Sequence, residues 1–398
     1  MFSYSDTELI HIFEGEKINN SENQSKMRIY LTVLTILLTI ALQAQTPYQF
    51  KTIVDLDALS VISQGKTGTC WSFSTSSFIE SEIMRKTGKK IDLSEMYTVR
   101  QTYIDKAENY VMRQGQATFS EGGLAHDVLN SIKKNGLVPN SVYTGLDKGN
   151  NYHNHAEMVA VLESMVETYV KNPGKQLSKK WRPAINSVLD VYLGKQPTSF
   201  KFDGKEYTPQ SFLEMTQINP DDYVSITSFS HEDYYSSFIL NIPDNFSNGS
   251  FYNLPLDEFI EVLDHSLQNG FTVEFDCDVS ESTFSAKSGV AVIPKDKSNN
   301  MASLNAIYPE MIVTQELRQD EFENYNTTDD HLMHITGLLK DQKDNKYYKV
   351  KNSWGGNSER VSNNGFINMS ESYMRLKAIS ITVHKDAIPQ HIAKKLPL

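Results

Sequence analysis

The chain changes texture at Asn269-Gly270, and that change limits what it can fold into. Before it, apolar residues recur at helical spacing. Thr69–Lys86 places Trp71, Phe78, Ile79 and Ile83 towards one side, with Gly88 as a stop. Gly123–Lys134, residues 154–171 and Leu256–Gln268 read as further helices. After Gly270 come short strand-like runs divided by polar turns: Phe271–Phe275, Val290–Ile293, Met333–Leu339, Lys346–Lys351 and Gly365–Asn368. A helical front and a strand-rich back specify an α+β fold with two lobes. Residues 145–255, rich in Asn, Asp, Ser and Tyr, read as an insertion between the halves.

The front of the chain stands apart. Ile29–Leu42 is a 14-residue apolar run without charge, preceded by Lys26 and Arg28 and followed by Gln43-Ala44-Gln45. That pattern describes a secretory signal peptide over 27–44, with residues 1–26 as an upstream extension and a mature domain over 45–398. The run is short against the roughly 20 residues of a membrane span, so no stable span is expected after cleavage; an uncleaved anchor is the alternative. The expected location is secreted or periplasmic. Net charge is −11, and the first 44 residues, with five acids and three bases, account for −2 of it. The remaining −9 argues against a nucleic-acid partner, which needs clustered positive charge. Two cysteines, Cys70 and Cys277, exclude a disulfide-dense fold and a zinc site built on cysteine pairs.

Chemistry concentrates in three places. Cys70 opens a helix, with Gln64 six residues upstream in a Gly-rich turn. A thiol at a helix N-terminus feels the positive end of the macrodipole, which favours thiolate; a buried inert cysteine is an equal reading of Cys70 alone. His331 begins a strand and Asn352 ends the next, and the turn near 341–342 places them almost opposite each other. Asn352 can then hold one imidazole nitrogen while the other faces a thiol. His334 points to the opposite face of its strand. Cys277 lies in a strand-like run and reads as packing. His153-Asn154-His155 has no third ligand nearby in sequence and reads as a solvated pair, so no metal or cofactor is expected.

These residues resemble the papain-like cysteine peptidases. Gln64 with Cys70-Trp71 resembles the oxyanion and nucleophile motif, and Leu93-Ser94-Glu95 the motif of the next helix. Glu121-Gly122-Gly123 resembles the substrate-binding turn. His331 and Asn352-Ser353-Trp354-Gly355 complete the set in the correct order. His331 lies 261 residues after Cys70 and Asn352 lies 282 after it, well beyond the familiar 130–150. With Thr67 in place of a disulfide cysteine and the run Phe271–Val279, this resembles the bleomycin hydrolase and aminopeptidase C branch.

The resemblance implies a two-lobed papain-like fold and peptide substrates. It assigns Cys70 as nucleophile, His331 as acid–base partner in a resting thiolate–imidazolium pair, Asn352 as orienter and Gln64 as oxyanion donor. Gly122, Gly123 and Trp354 would line the substrate site, Trp354 shielding the His331–Asn352 bond. In that branch the chain's own end lies in the cleft and restricts cleavage to free N-termini, members form hexamers, and most are cytosolic. Here residues 393–398, Ala-Lys-Lys-Leu-Pro-Leu, depart from the branch's small-residue ending. An acyltransferase using the same Cys–His pair and a non-catalytic binding protein on this fold are the competing readings.

Overall fold

The computed structural model describes residues 47–146, 149–172 and 174–398. The apolar run Ile29–Leu42 and the boundary near Gln45 lie outside them. No helix among the described residues is long and apolar enough to cross a membrane.

Strand β1 (Lys51–Asp55) leads into helices α1 (Cys70–Thr87), α2 (Glu95–Met112) and α3 (Ala125–Asn135). Then come α4 (Ala156–Lys171), α5 (Trp181–Leu193), β2 (Phe200–Phe202), β3 (Lys205–Tyr207) and α6 (Pro209–Thr216). Strands β4 (Tyr223–Thr227), β5 (Ser237–Ile239) and β6 (Ser250–Asn253) precede α7 (Leu256–Gln268) and β7 (Val273–Cys277). The remainder runs β8 (Phe284–Ser285), β9 (Val290–Ala291), α8 (Asn300–Ser303), α9 (Gln315–Glu323), β10 (His331–Lys340), β11 (Lys346–Lys351), β12 (Phe366–Ser370), α10 (Glu371–Lys377), β13 (Ala378–His384) and α11 (Gln390–Ala393).

One large mixed sheet, ordered β5-β6-β4-β13-β7-β10-β11-β12-β9-β8 with β1 also on β10, organises the molecule. Its central strands β7, β10 and β13 are buried almost end to end, as strands covered on both faces must be. One apolar core joins the helices α1–α6 to one face, and a second packs α7 and α10 on the other. Residues 145–255 contribute to both layers: Trp181, Ile185, Leu189 and Phe212 sit in the helical core, while β4–β6 extend the sheet.

Helix α1 is buried from Cys70 to Met84 although it carries many hydroxyls. Burial of a hydroxyl is tolerated when it is bonded: Ser72 donates to Glu95 O and Ser81 to Asp57 O, while Ser77 meets His334 Nδ1 at 2.9 Å, with Thr75 an exception. Gly88 ends the helix at φ 70°, a left-handed cap that glycine takes without steric cost. Thus α1 lies across β10 with its first residue at the end of the strand where His331 stands.

Candidate active site

Cys70 is the first residue of α1, and its sulfur lies within hydrogen-bonding reach of the backbone N–H groups of Leu332 and Trp71. Leu332 directly follows His331, so helix start and strand start bring the thiol and the imidazole together. His331 Nε2 lies 2.8 Å from Asn352 Oδ1. Asn352 Oδ1 also accepts from the Ser353 N–H at 2.7 Å. An acceptor at Nε2 assigns the proton to that nitrogen and leaves Nδ1 with the lone pair. Both residues are buried, and the Trp354 indole covers the imidazole at 5.0 Å between centroids and 34° between planes.

The hairpin delivers this geometry differently from the sequence reading. Lys340 pairs with Lys346, so the turn spans 341–345 and centres on 343 rather than 341–342. A register shift between Ile335 and Gly337 follows, and the last pair is His334 with Lys351. Continued in register, His331 would oppose Trp354, not Asn352. Asn352 reaches the imidazole because the chain leaves the strand after Lys351 and turns back: Asn352 N–H donates to Gly365 O, and Ser353 O receives the Gln64 N–H at 2.9 Å.

Gln64 is clamped at both ends of its side chain. Its Nε2 donates to Thr67 O at 2.7 Å, and its Oε1 accepts from Ser353 Oγ at 2.5 Å. A primary amide has two hydrogens, so one remains to be donated. The turn behind Gln64 rests on the 153–155 segment: Lys66 N–H donates to His153 O, and a Cβ at Gly65 would strike the same carbonyl. That support corrects the reading of a solvated histidine pair. His155 is buried against Tyr103, and burial pushes its imidazole down to about 4.

The Gly122-Gly123 turn is held by Trp71, whose Nε1 donates to Glu121 O at 2.9 Å, and by Gly68 N–H donating to the Glu121 carboxylate at 2.6 Å. A Cβ on Gly123 would sit 3.1 Å from the Trp71 indole, and one on Gly122 would collide with the Asp244 carboxylate. His334 points to α1 and Cys277 is buried in the core under the sheet's other face, so neither joins the site. Residues 395–397 are also elsewhere: Lys395 pairs with Glu258 at 2.8 Å and Tyr252 donates to Pro397 O at 3.0 Å, on the α7 side.

Electrostatics work against the expected thiolate–imidazolium pair. Burial pushes the Cys70 thiol up to about 12, with Asp244 and Asp276 adding to the rise, and pushes His331 down to about 4. A helix terminus contributes about 0.3–1 kcal/mol, which does not offset removing a charge from water. Burial thus opposes both charged forms, so the thiolate–imidazolium pair depends on the attraction between its two charges. Among the described residues, one group of three side chains, Glu80, Asp92 and Glu95, brings possible metal ligands together. The buried Lys351 ammonium beside Glu80 and Glu95 already supplies the positive charge there.

Sequence reading did not find Asp244, Asp276, Asp329 or Ser353. For Asp276 a signal existed: Glu274, Asp276 and Asp278 alternate through an otherwise apolar strand, and inward-facing acids in a covered strand need a reason.

The chain is 22% identical over 380 residues to aminopeptidase C of Listeria monocytogenes serovar 1/2a (strain ATCC BAA-679 / EGD-e), covering 84% of this chain and 81% of that protein. It is 24% identical over 370 residues to aminopeptidase G of Lactobacillus delbrueckii subsp. lactis, covering 83% and 82%. Procathepsin L of Felis catus is 33% identical over 97 residues, 24% of each chain. The crystal structure of PepW from Lactobacillus rhamnosis HN001 (DR20) superimposes with a TM-score of 0.71 at 20% identity, covering 99% of this chain and 95% of that one, which establishes the papain-like fold. The peptidase C1-like family model matches residues 111–397, well over half of the chain, and the protein belongs to that family.

Proposed function

We propose that this protein is a cysteine peptidase that removes residues from the free N-termini of peptides, with Cys70 as nucleophile and His331 as its acid–base partner. The observation that carries the reading is the pairing of His331 Nε2 with Asn352 at 2.8 Å while Cys70 abuts the start of the same strand. The similarity to aminopeptidases C and G supports the exopeptidase part.

Because burial disfavours both charges, the sulfur attacks only once its proton has passed to His331. As the peptide carbonyl settles against the sulfur, the thiol proton moves to His331 Nδ1 and sulfur bonds to the carbonyl carbon. The spare Gln64 amide hydrogen and the Cys70 N–H meet the oxygen as it gains charge; one such donor is worth about 10²–10³ in rate. His331 then gives its proton to the leaving amine as the C–N bond breaks, and a water, activated by the same imidazole, releases the acid from the thioester. Asn352 and Trp354 hold the ring in the productive tautomer throughout. Gly122 and Gly123 would offer the peptide their backbone, their missing Cβ atoms making room for Asp244 and Trp71 behind the turn.

A Cys70→Ala variant compared with wild type on N-terminally free and blocked fluorogenic peptides tests this. Activity surviving in the variant refutes the nucleophile. Blocked peptides cleaved as fast as free ones refute the aminopeptidase assignment. Added amine diverting the product into a new amide would favour acyl transfer. Export remains part of the proposal, resting on the apolar run Ile29–Leu42 and the basic residues before it; detection of a chain beginning near Gln45 in the periplasm or medium would test it. A homo-oligomer, a hexamer by resemblance, is likewise proposed and is testable by light scattering.

A further inference from the structure

Beside the nucleophile lies a group of carboxylates that the chemistry above does not use. Asp276 and Leu332 are Cα partners across β7 and β10, so their side chains share one face, the one that carries α1. The Cys70 sulfur meets the Leu332 N–H at the start of the same strand. Asp276 is 1% exposed, and its carboxylate meets no N–H or hydroxyl donor among the described residues, its side-chain neighbour being the Asp329 carboxyl. Asp329, two residues before His331, adds another buried oxygen without a partner, and its Oδ2 accepts the Asp244 N–H at 3.1 Å. Asp244 closes the group from the far side, its carboxylate lying over the Cα of Gly122. The charges that bear most on Asp276 are all negative: Asp329, Glu274 and Asp244.

The buried Lys106 ammonium lies by Asp244, but no cation bears on Asp276 or Asp329, and buried acids so placed call for a positive partner. The geometry points to Asp276, with Asp329 and Asp244 beside it, as the receptor for the α-ammonium of the peptide's first residue, and so as the device that confines hydrolysis to free N-termini. The inference rests on the aminopeptidase reading and gives it a structural cause.

Distances within a peptide agree with this placement. The attacked carbon approaches sulfur to about 3–3.5 Å, and the α-nitrogen of the same residue lies about 2.5 Å from that carbon. A carboxylate about 2.8 Å further on completes the contact. Asp276 lies one strand away from Leu332, at about 5 Å between Cα atoms, and near enough to Cys70 for its charge to act there. An acylated N-terminus brings a carbonyl dipole and no charge to the same place, leaving the carboxylates unpaired. The arrangement also couples binding to reactivity. Asp244 and Asp276 add to the burial that holds the Cys70 thiol protonated, and an arriving ammonium offsets their part of it where the thiolate must form.

Asp276→Asn and Asp244→Asn, each in a Cys277→Ala background, test the assignment with aminoacyl and N-acetyl-aminoacyl coumarin amides and with iodoacetamide. Wild type preferring free substrates establishes the aminopeptidase reading first; its failure there ends both ideas and is visible before any variant is made. The receptor predicts that either variant raises KM for free substrates by about 10–100-fold while hydrolysis of the blocked ones holds or improves. It also predicts faster alkylation of Cys70, opposite in direction to the loss of hydrolysis. Retained blocked-substrate hydrolysis shows that the variant is folded, and Asp244→Asn decides the matter should Asp276→Asn fail to fold. A free-to-blocked ratio unchanged from wild type in both variants overturns the assignment. So does a wild-type preference for blocked peptides with Lys or Arg at the second position that Asp276→Asn abolishes, since the cation received would then be a side chain.

Discussion

Replacing Asn352 by alanine isolates one contact in the candidate site. Asn352 Oδ1 receives the His331 Nε2 proton at 2.8 Å and the Ser353 N–H at 2.7 Å, in a place 4% exposed and roofed by Trp354. Asn352→Ala removes the acceptor of both bonds and leaves the imidazole free to rotate or to move its proton to Nδ1, the nitrogen that must accept from sulfur. A hydrogen bond to a group that becomes charged contributes about 1.5–3 kcal/mol. At about 1.4 kcal/mol per factor of ten, kcat/KM for a free aminoacyl coumarin amide falls about 10–150-fold. The Asn352 bond also raises the His331 imidazole against burial. Without it His331 is protonated less readily, and departure of the amine slows more than substrate binding does, so kcat carries the loss. Steady-state kinetics with active sites counted by stoichiometric alkylation measure it. A kcat/KM within twofold of wild type, in a variant that still loses all activity on Cys70→Ala, would show that Asn352 does not orient the base.

Four further outcomes are expected. Trp71→Phe removes the indole donor to Glu121 O and loosens the Gly122-Gly123 turn, raising KM several-fold with kcat little changed. Gly123→Ala forces a methyl to within 3.1 Å of the Trp71 ring and costs about 1–3 kcal/mol, read from denaturant midpoints. Cys277→Ala leaves peptide hydrolysis intact, since that thiol is buried in the core under the sheet's other face; parallel loss of activity would contradict this. Burial pushes Glu274 up to about 8 in the folded state, so its contribution to stability is fully present at low pH and is lost as pH rises towards that value. Glu274→Gln removes the penalty, and its stability relative to wild type should improve by about 4 kcal/mol between pH 5 and pH 9; equal pH dependence in the two proteins would contradict the assignment.

Legibility in the sequence followed locality. The first helix and its stop at Gly88, the helix Leu256–Gln268 and the strand Lys346–Lys351 were readable because periodicity and breakers lie within each segment. Helix α5 was not recognised although Trp181, Ile185, Leu189 and Leu193 recur every four residues. Its Pro183 resembles a breaker until it is placed in the first turn, where a proline is tolerated. The strand that pairs with the histidine strand reads as Phe271–Phe275 but runs Val273–Cys277, and that shift of two is what carries Asp276 into the sheet opposite Leu332.

What the sequence by itself determined is the inventory and its order: a cysteine opening a helix, a glutamine upstream, a glycine pair, then a histidine and an asparagine on adjacent strands. Side-chain chemistry and nearest-neighbour periodicity suffice for that. Tertiary structure alone decided the burial that opposes charge on Cys70 and His331, because burial is a property of everything packed around a group. It alone decided the hairpin register, through a turn one residue later than expected and a shift beyond it. It also gathered Asp244, Asp276 and Asp329 from three distant segments beside one sulfur. Charges that far apart in sequence acquire a shared field only when the sheet brings them within a few ångströms.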